Sequence, residues 1–360
     1  MAIRPNHNKT TQTSDERYMT RCIQIAKNGL GSTAPNPMVG AVIVHHGHII
    51  GEGYTSPYGG HHAEVNAINS VNDKKLLRDA TLYVTLEPCS HYGKTPPCAD
   101  LIIQFGIPRV VIGVTDPHEK VAGRGIEKLK KAGSTIQEGV LERACEAHHK
   151  RFLTFHRKKR PYIILKWAET NDGYIAPTRE MRTIHPEPYW ITGPLSRQLV
   201  HKWRSEEQAI LVGTQTVLDD NPNLNVRSWT GKSPVRIILD RNLRISNDAH
   251  VLNGNQRTIV FTTITDESHY EGNAEYQILD GLQNVHQLCD SLYNLDIQSV
   301  LVEGGAKTIQ GFIAANLWDE ARVFKGSSYF RNGIKAPQLK GTMHYTRQIE
   351  SDLLTVFKND

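Results

Sequence analysis

The spacing of apolar and polar positions changes several times along the chain, and each change marks a new element. Glu16 to Asn28 carries apolar side chains at helical spacing and stops at Gly29. The run Val39–Val44, VGAVIV, predicts a short buried strand, with His48–Gly51 continuing as its hairpin partner. A helix from His62 to Ser70, a strand Thr81–Leu86, a helix Cys98–Phe105, a strand Arg109–Val114 and a helix Arg124–Lys131 follow in alternation. A last strand near Ser134–Gln137 leads into a helix from Leu141. Such an order predicts a layered α/β domain, a sheet covered by helices.

A basic run, Arg157-Lys158-Lys159-Arg160-Pro161, interrupts the pattern. Cations at a helix end followed by proline make an ordinary stop with solvated side chains, a simpler reading than a nucleic-acid patch. The predicted boundary therefore falls between a domain of residues 1–158 and one of residues 159–360, with 1–15 as a loose polar tail. The second half restarts with strand Tyr162–Lys166, and Thr178–Pro188 reads as a loop. Helix Pro194–Arg204, strand Ala209–Val212, a polar turn Gly213–Pro222, and strands Val235–Leu239 and Thr258–Thr262 come next. Strand Ser299–Val302 runs through Glu303-Gly304-Gly305 into a helix, Lys307–Asn316. The half is again α/β, yet no GxGxxG follows its first strand, so the common dinucleotide fingerprint is missing.

The length of 360 residues exceeds what one core usually serves, in agreement with two domains. No apolar run is long enough to span a bilayer, and the N-terminus lacks the apolar core of a signal peptide, which predicts a cytoplasmic protein without a membrane partner. A net charge of +5 suits a phosphorylated small molecule and is too mild to imply nucleic acid. Of five cysteines, Cys22, Cys145 and Cys289 read as packed or surface thiols, and the odd count argues against a disulfide framework.

The other two cysteines belong to a constellation. His62-Ala63-Glu64 opens a helix, Pro88-Cys89 follows a strand, and Pro97-Cys98 opens the next helix. One imidazole and two thiolates leave the fourth position of a tetrahedral zinc open, the arrangement of a catalytic rather than a structural ion. The helix N-terminus favours Cys98 as thiolate. Glu64, two residues past the histidine, is placed to take a proton from water at the open position and to return it to a leaving amine. An HxE followed by a Pro-Cys pair is the signature of zinc nucleobase deaminases. Here eight residues separate Cys89 from Cys98, which is wider than the usual two. His61 is the neighbour that could compete as ligand, and the HxE spacing selects His62.

The stretch Thr85-Leu86-Glu87-Pro88-Cys89-Ser90-His91-Tyr92-Gly93-Lys94-Thr95-Pro96-Pro97-Cys98 resembles the deaminase half of the bifunctional riboflavin-biosynthesis deaminase/reductases, as do Pro35-Asn36-Pro37-Met38-Val39-Gly40 and Val121-Ala122-Gly123-Arg124-Gly125. The resemblance implies a cytidine-deaminase-like three-layer domain holding one zinc ion. It implies removal of the 2-amino group from a diamino-hydroxy-pyrimidinone that carries a phosphoribosylamino group. Asn36 would hold the base, His91 and Lys94 would contact base or phosphate, and Asp116 would line the pocket. Many family members have asparagine where this chain has His118.

Three features of the second half extend the resemblance: Glu303 to Thr308 at the strand-to-helix turn, Gly213 to Pro222 after a buried strand, and Trp203-Arg204 with Arg227 downstream. Glycines let phosphate approach the backbone, a helix N-terminus offers N–H groups to an anion, and arginines suit a ribose phosphate. Together they resemble the reductase half of the same family, whose fold is dihydrofolate-reductase-like. The resemblance implies that NADPH meets Ala168, Trp190, Thr216, Asp220 and the turn Gly305, Ala306, Lys307 and Thr308. It places substrate at Arg204, Leu224, Arg227 and Glu303. The implied reaction is hydride transfer to the ribosyl C1′, opening the sugar to ribityl. Thr170-Asn171-Asp172-Gly173, Pro188 and Arg241 depart from the commoner family pattern, and the loop 178–188 is longer. Family members associate, so a homo-oligomer is expected. Competing readings are a deaminase with an inactive second domain, a nucleic-acid (tRNA) deaminase with an accessory domain, and a binding module with structural zinc.

Overall fold

The computed structural model describes residues 12–92, 96–117, 122–181, 186–270, 272–281 and 284–359. The chain divides into two compact units, residues 1–157 and 158–360.

The first unit is built on five strands: β1 (Gly40–His45), β2 (His48–Tyr54), β3 (Ala80–Leu86), β4 (Arg109–Val114) and β5 (Thr135–Gln137), in the order β2-β1-β3-β4-β5. β1 is antiparallel to both β2 and β3, and β4 and β5 continue parallel to β3. Among the described residues six α-helices pack around it: α1 (Ser14–Ala26), α2 (Ala63–Ser70), α3 (Cys98–Phe105), α4 (Arg124–Lys131), α5 (Glu142–His148) and α6 (Lys150–Lys158). β1 and β3 are buried almost along their length, which is why VGAVIV is apolar at every position rather than at alternate ones.

Two differences from the sequence reading have local causes. The loose tail ends earlier than Asp15. The Thr13 hydroxyl accepts the Glu16 N–H at 3.2 Å while the Glu16 carboxylate accepts the Thr13 N–H at 2.8 Å, a reciprocal cap that starts α1. Asp15 is paired with Arg109 at 2.8 Å and accepts the Tyr83 hydroxyl at 2.7 Å. At the other end of the unit, α5 stops at His148 and α6 restarts at Lys150, so the helix predicted from Leu141 is two.

Close approach of helix to strand positions the site. A Cβ on Gly53 of β2 would lie 2.3 Å from the Ala67 amide nitrogen and 2.5 Å from the Ala63 carbonyl oxygen of α2. Only glycine permits α2 to lie this near, and α2 carries the histidine and glutamate of the HxE motif.

The second unit has a nine-stranded sheet. Its strands in chain order are β6 (Tyr162–Glu169), β8 (Ala209–Gly213), β9 (Val235–Leu239), β10 (Thr258–Thr262), β11 (Glu275–Ile278), β12 (Ser299–Glu303), β13 (Glu320–Lys325), β15 (Thr342–Ile349) and β16 (Asp352–Lys358), while β7 (Tyr174–Ala176) and β14 (Ile334–Lys335) form a separate pair. The order is β11-β10-β9-β8-β12-β6-β13-β16-β15, parallel from β11 to β13 and closed by the antiparallel hairpin β15–β16. Helices α7 (Pro194–Glu206), α8 (Thr214–Asp220), α9 (Val285–Asn294) and α10 (Ala306–Ala314) join the strands. Proline opens α7, and Asp352 of β16 closes its N-terminus by accepting from the Gly193 N–H at 2.8 Å and the Ser196 hydroxyl at 2.6 Å.

Here too the structure corrects the sequence reading. Gly213–Pro222, expected as a turn, is mostly helix α8, which Asn221 ends in a left-handed conformation (φ +37°). Part of the expected loop 178–188 is a 3-10 turn, Arg179–Met181, and residues 182–185 lie outside the described residues. Arg160, expected as a solvated helix end, is buried and gives both terminal nitrogens to Asp319, at 2.6 and 2.8 Å. Among the described residues no helix is long and apolar enough to cross a membrane.

Candidate active sites

In the first unit, His62 sits at the N-cap of α2 and makes no capping bond with its ring, which leaves the imidazole free to face the two cysteines. Its Nδ1 lies 3.6 Å from Cys89 Sγ and 3.4 Å from Cys98 Sγ. An N–S edge of a tetrahedral zinc site, built from Zn–N and Zn–S bonds, is about 3.6 Å. The three donor atoms therefore fit zinc in both chemistry and spacing. His61, the competing neighbour, is exposed. Cys89 follows β3, and Cys98 is the first residue of α3, where its backbone N–H donates to Cys89 Sγ at 3.3 Å.

Protons share this cluster when no cation does. Cys98 donates to Cys89, which lowers Cys89 to about 4 and raises Cys98 well above the ordinary thiol range. The Cys89 hydrogen bond raises His62 to about 9 against the effect of burial. A divalent ion displaces these protons, so both sulfurs ligate as thiolates and binding weakens as pH falls. Glu64 is buried in the first turn of α2. Burial raises its carboxyl to about 7, the Cys89 charge adds to this, and His62 opposes it. A bound cation acts in the same direction as His62.

Glu87 was not singled out by the sequence, and it organises the surroundings. Its buried carboxylate accepts four backbone N–H bonds: Asp116 at 3.2 Å and Gly123 at 3.0 Å on Oε2, Gly125 at 2.9 Å and Ile126 at 3.2 Å on Oε1. Gly125 has to be glycine, since a Cβ there would lie 2.1 Å from the Pro88 carbonyl oxygen. Glu87 thus ties the segment that follows β4 to the strand end that presents Cys89. Glu87→Gln turns one acceptor into an NH2 group that faces two N–H donors, at a cost of about 1–3 kcal/mol. The expected result is a raised KM for deamination with zinc content unchanged, read by steady-state kinetics and metal analysis. An unchanged KM would show that this bracket does not shape the pocket.

The remaining predicted deaminase residues fall as follows. Asp116 is buried and held by Glu87 through its N–H. Asn36 lies on the segment between α1 and β1, where its N–H donates to the Thr33 carbonyl at 2.9 Å. That segment pairs with the one leading to His62, the Tyr58 N–H donating to the Ser32 carbonyl at 3.1 Å, and the latter is closed on itself by the Ser56 N–H donating to the His61 carbonyl at 2.9 Å. His91 is exposed two residues beyond Cys89. Lys94 and His118 lie outside the described residues.

The second unit contains a cleft of about 780 Å³ above the ends of β6, β8 and β12. Ala168, Trp190, Thr216, Asp220, Gly305 and Ala306 all line it, as do Arg204, Leu224, Arg227 and Glu303. Lys307 and Thr308 are not among the lining residues; Thr308 Oγ1 would stand 2.8 Å from a Cβ on Gly213, behind the wall. Gly304 (φ +96°) and Gly305 (φ +30°) turn the chain from β12 into α10, and a Cβ on Gly304 would lie 2.8 Å from Thr216 Oγ1. The turn therefore presents the free N–H groups of α10 to the cleft beside Thr216, a ready site for an anion.

Arg204 does not stand alone there. Its Nε and Nη2 donate to the two oxygens of Glu303 at 2.8 and 2.9 Å. Lys166, which the β6–β12 register sets opposite Glu303, approaches the same carboxylate at 3.6 Å. Burial raises the Glu303 carboxyl, but Arg204 and Lys166 outweigh it and hold it at about 2. Burial lowers the Lys166 ammonium despite Glu303. Arg227 is lowered by burial and then by its neighbours Arg204 and Arg197. His201 is pushed to about 4 by burial and then by Arg204 and Arg227, so it is neutral. Crowded cations with depressed pKa values favour an anion in the cleft. Arg197 lines the cleft with its guanidinium 4.6 Å from the Trp190 ring centroid. Lys166, Arg197 and His201 carry no motif, and only strand register and helix position make them site residues.

Residues 12–114 match the family model described as the cytidine and deoxycytidylate deaminase zinc-binding region, and residues 161–329 match the RibD C-terminal domain. The riboflavin biosynthesis protein RibD of Aquifex aeolicus is 41% identical over 330 residues, 90% of each chain. That of Escherichia coli is 36% identical over 327 residues, 86% of this chain and 87% of its own. A crystal structure of the diaminohydroxyphosphoribosylaminopyrimidine deaminase/5-amino-6-(5-phosphoribosylamino)uracil reductase of Thermotoga maritima, 41% identical, covers 96% of this chain and 98% of its own with a TM-score of 0.86. Acinetobacter baumannii RibD, 32% identical with the same coverage, gives 0.87.

Proposed function

Because the chain belongs to the RibD family of bifunctional riboflavin-biosynthesis enzymes, a deaminase and a reductase that use zinc and NADPH, we propose that each activity has its own site, one in each unit. The first unit has the cytidine-deaminase-like fold and the second the dihydrofolate-reductase-like one. The observation that carries the division of labour is the separation of donor sets. The His62–Cys89–Cys98 trio with Glu64 belongs wholly to residues 1–157, and the cation-rich cleft wholly to residues 158–360.

In the deaminase site the substrate is the 2,5-diamino-6-(5-phosphoribosylamino)pyrimidin-4(3H)-one. His62, Cys89 and Cys98 would hold the zinc, which would supply a Lewis acid that makes water nucleophilic near neutral pH. Glu64 accepts the proton that water gives up as the C–O bond forms, then delivers it to the amine as the C–N bond breaks, so that water enters and ammonia leaves. Asn36 and Asp116 orient the ring, and His91 and Lys94 reach the base or the phosphate.

In the reductase site NADPH would supply a hydride for the ribosyl C1′, the bond from C1′ to the ring oxygen breaking and that oxygen taking a proton from water, so that the sugar opens to ribityl. Ala168, Trp190, Thr216, Asp220, Gly305 and Ala306 hold the cofactor, the α10 N-terminus facing its phosphates. Glu303, kept ionised, fixes Arg204 and Lys166 in the cleft, and Leu224 packs against the base. Arg227 and Arg197 take the substrate phosphate. Arg227→Ala is expected to raise the reductase KM for the phosphorylated substrate by about 10-fold or more, as loss of a charged hydrogen bond of roughly 1.5–3 kcal/mol does. Deamination by the same variant stays at the wild-type rate, which separates a local effect from unfolding. Loss of both activities together would contradict two independent sites.

The partners we propose are small phosphoribosylated pyrimidines, without nucleic acid or membrane, for a cytoplasmic homo-oligomer. Support for association comes from β15, which is exposed along both faces from Thr342 to Gln348 at the sheet edge and carries Met343 and Tyr345 outward.

A further inference from the structure

The tip of the first hairpin holds a second group of metal-ligand side chains, unrelated to the trio above. β1 and β2 are joined by a two-residue turn, His46-Gly47, both in the left-handed region (φ +46° and +79°). This is the turn in which Asn-Gly is preferred, and histidine is among the few other residues that tolerate it. Left-handed backbone at residue 46 brings its side chain round to join that of residue 45, where two neighbours on a regular strand would point apart. The two imidazole centroids are 4.1 Å apart. Asp79 stands opposite, because the β1–β3 ladder pairs His45 with Ala80. Asp79 Oδ2 lies 3.1 Å from His46 Nε2 and 3.8 Å from His45 Nε2.

We propose that His45, His46 and Asp79 bind a divalent transition-metal ion of the zinc, nickel or copper class at the surface of the deaminase unit. Four observations support it. The donor atoms all lie within 4.8 Å of one another. In a tetrahedral site with metal–nitrogen and metal–oxygen bonds of about 2.0–2.2 Å, ligand atoms are about 3.3–3.5 Å apart. The two measured separations bracket that value, so rotamer adjustments of a fraction of an ångström close the site. Two imidazoles with one carboxylate select zinc, nickel or copper over magnesium or calcium, which prefer all-oxygen sets. The approach is open, since a Cβ on Gly47 meets nothing within 4 Å.

His46 and Asp79 are exposed (71% and 70%), which leaves room for water to complete the coordination. An ion held there links the hairpin tip to the entry of β3. It would stabilise the folded unit by an amount that rises with the logarithm of the metal concentration above the dissociation constant, since the unfolded chain does not hold the three groups together. An ion pair between protonated imidazole and Asp79 is the simpler use of the same residues. The two uses are separated by whether the folded protein takes up a further ion through these side chains.

The test uses tag-free full-length protein already loaded with its catalytic zinc, titrated with Ni2+ by calorimetry at about pH 7.5. The expected result is uptake of one further ion per chain. His46→Asn keeps the turn chemistry and removes a ligand, and Asp79→Asn removes the carboxylate. Both are expected to weaken this uptake by about 10-fold or more, with resident zinc and both catalytic rates unchanged. In the Cu2+-loaded protein, nitrogen hyperfine structure in the electron paramagnetic resonance spectrum should report two imidazoles, and one in His46→Asn. No uptake by the wild type, or equal uptake by the variants, would overturn the proposal and leave only the ion pair.

Discussion

Glu64→Gln is expected to lower deaminase turnover by about 10²-fold or more while the protein keeps its zinc. The substitution preserves volume and removes the one property the step needs, a carboxylate that takes a proton and gives it back. The zinc ligands are untouched, and α2 remains seated because its approach to β2 is set by Gly53. Reduction of the deaminated substrate by this variant should proceed at the wild-type rate. Metal analysis and the two assays on one preparation decide the matter. Near-normal deamination in a zinc-replete Glu64→Gln protein would remove Glu64 from the chemistry.

The second large effect is expected at Glu303. Its carboxylate binds Arg204 in two parallel hydrogen bonds and faces Lys166, with a side chain only 8% exposed. Taking one partner from a buried ion cluster leaves uncompensated charge and costs about 3–5 kcal/mol. In Glu303→Ala, Arg204 and Lys166 lose the group that aims them, and the reductase kcat/KM should fall by about 10²-fold or more. Deamination is the internal control, and a thermal melt separates local disorder from unfolding. Glu303 also gives the sign of a pH effect. Its folded pKa of about 2 lies below the ordinary 4.5, so its contribution to stability is complete above about pH 4.5 and lost as pH falls toward 2. Wild-type reductase kinetics in Glu303→Ala would place the substrate elsewhere.

Local pattern carried much of this account. The strand β1 is an uninterrupted apolar run, and the HxE and Pro-Cys pairs identify the zinc trio because ligand type and motif coincide. What escaped the sequence depends on partners distant along the chain. Glu87 lies in the quoted motif, but its four N–H donors come from residues 116–126, so nothing local reveals its task. Lys166 becomes a site residue only when the β6–β12 register sets it beside Glu303. The polar composition of Gly213–Pro222 concealed α8, whose one fully buried side chain is Val217. β15 has no alternation to detect, since it is exposed along nearly its whole length. Helix α9, absent from the elements predicted above, does carry a local signal, with Val285, Leu288, Cys289 and Leu292 buried at helical spacing. Arg160, read as solvent-exposed from its basic neighbours, is buried because Asp319 neutralises it.

The central claim is that one chain performs a zinc-dependent deamination and an NADPH-dependent reduction in sequence. Mass spectrometry of the diaminopyrimidinone ribotide, incubated with zinc-loaded protein with and without NADPH, tests it most directly. The account predicts exchange of an amine for oxygen without NADPH, and a gain of two hydrogens only when NADPH is added. Deamination with no hydrogen gain, or no change in either tube, would contradict it.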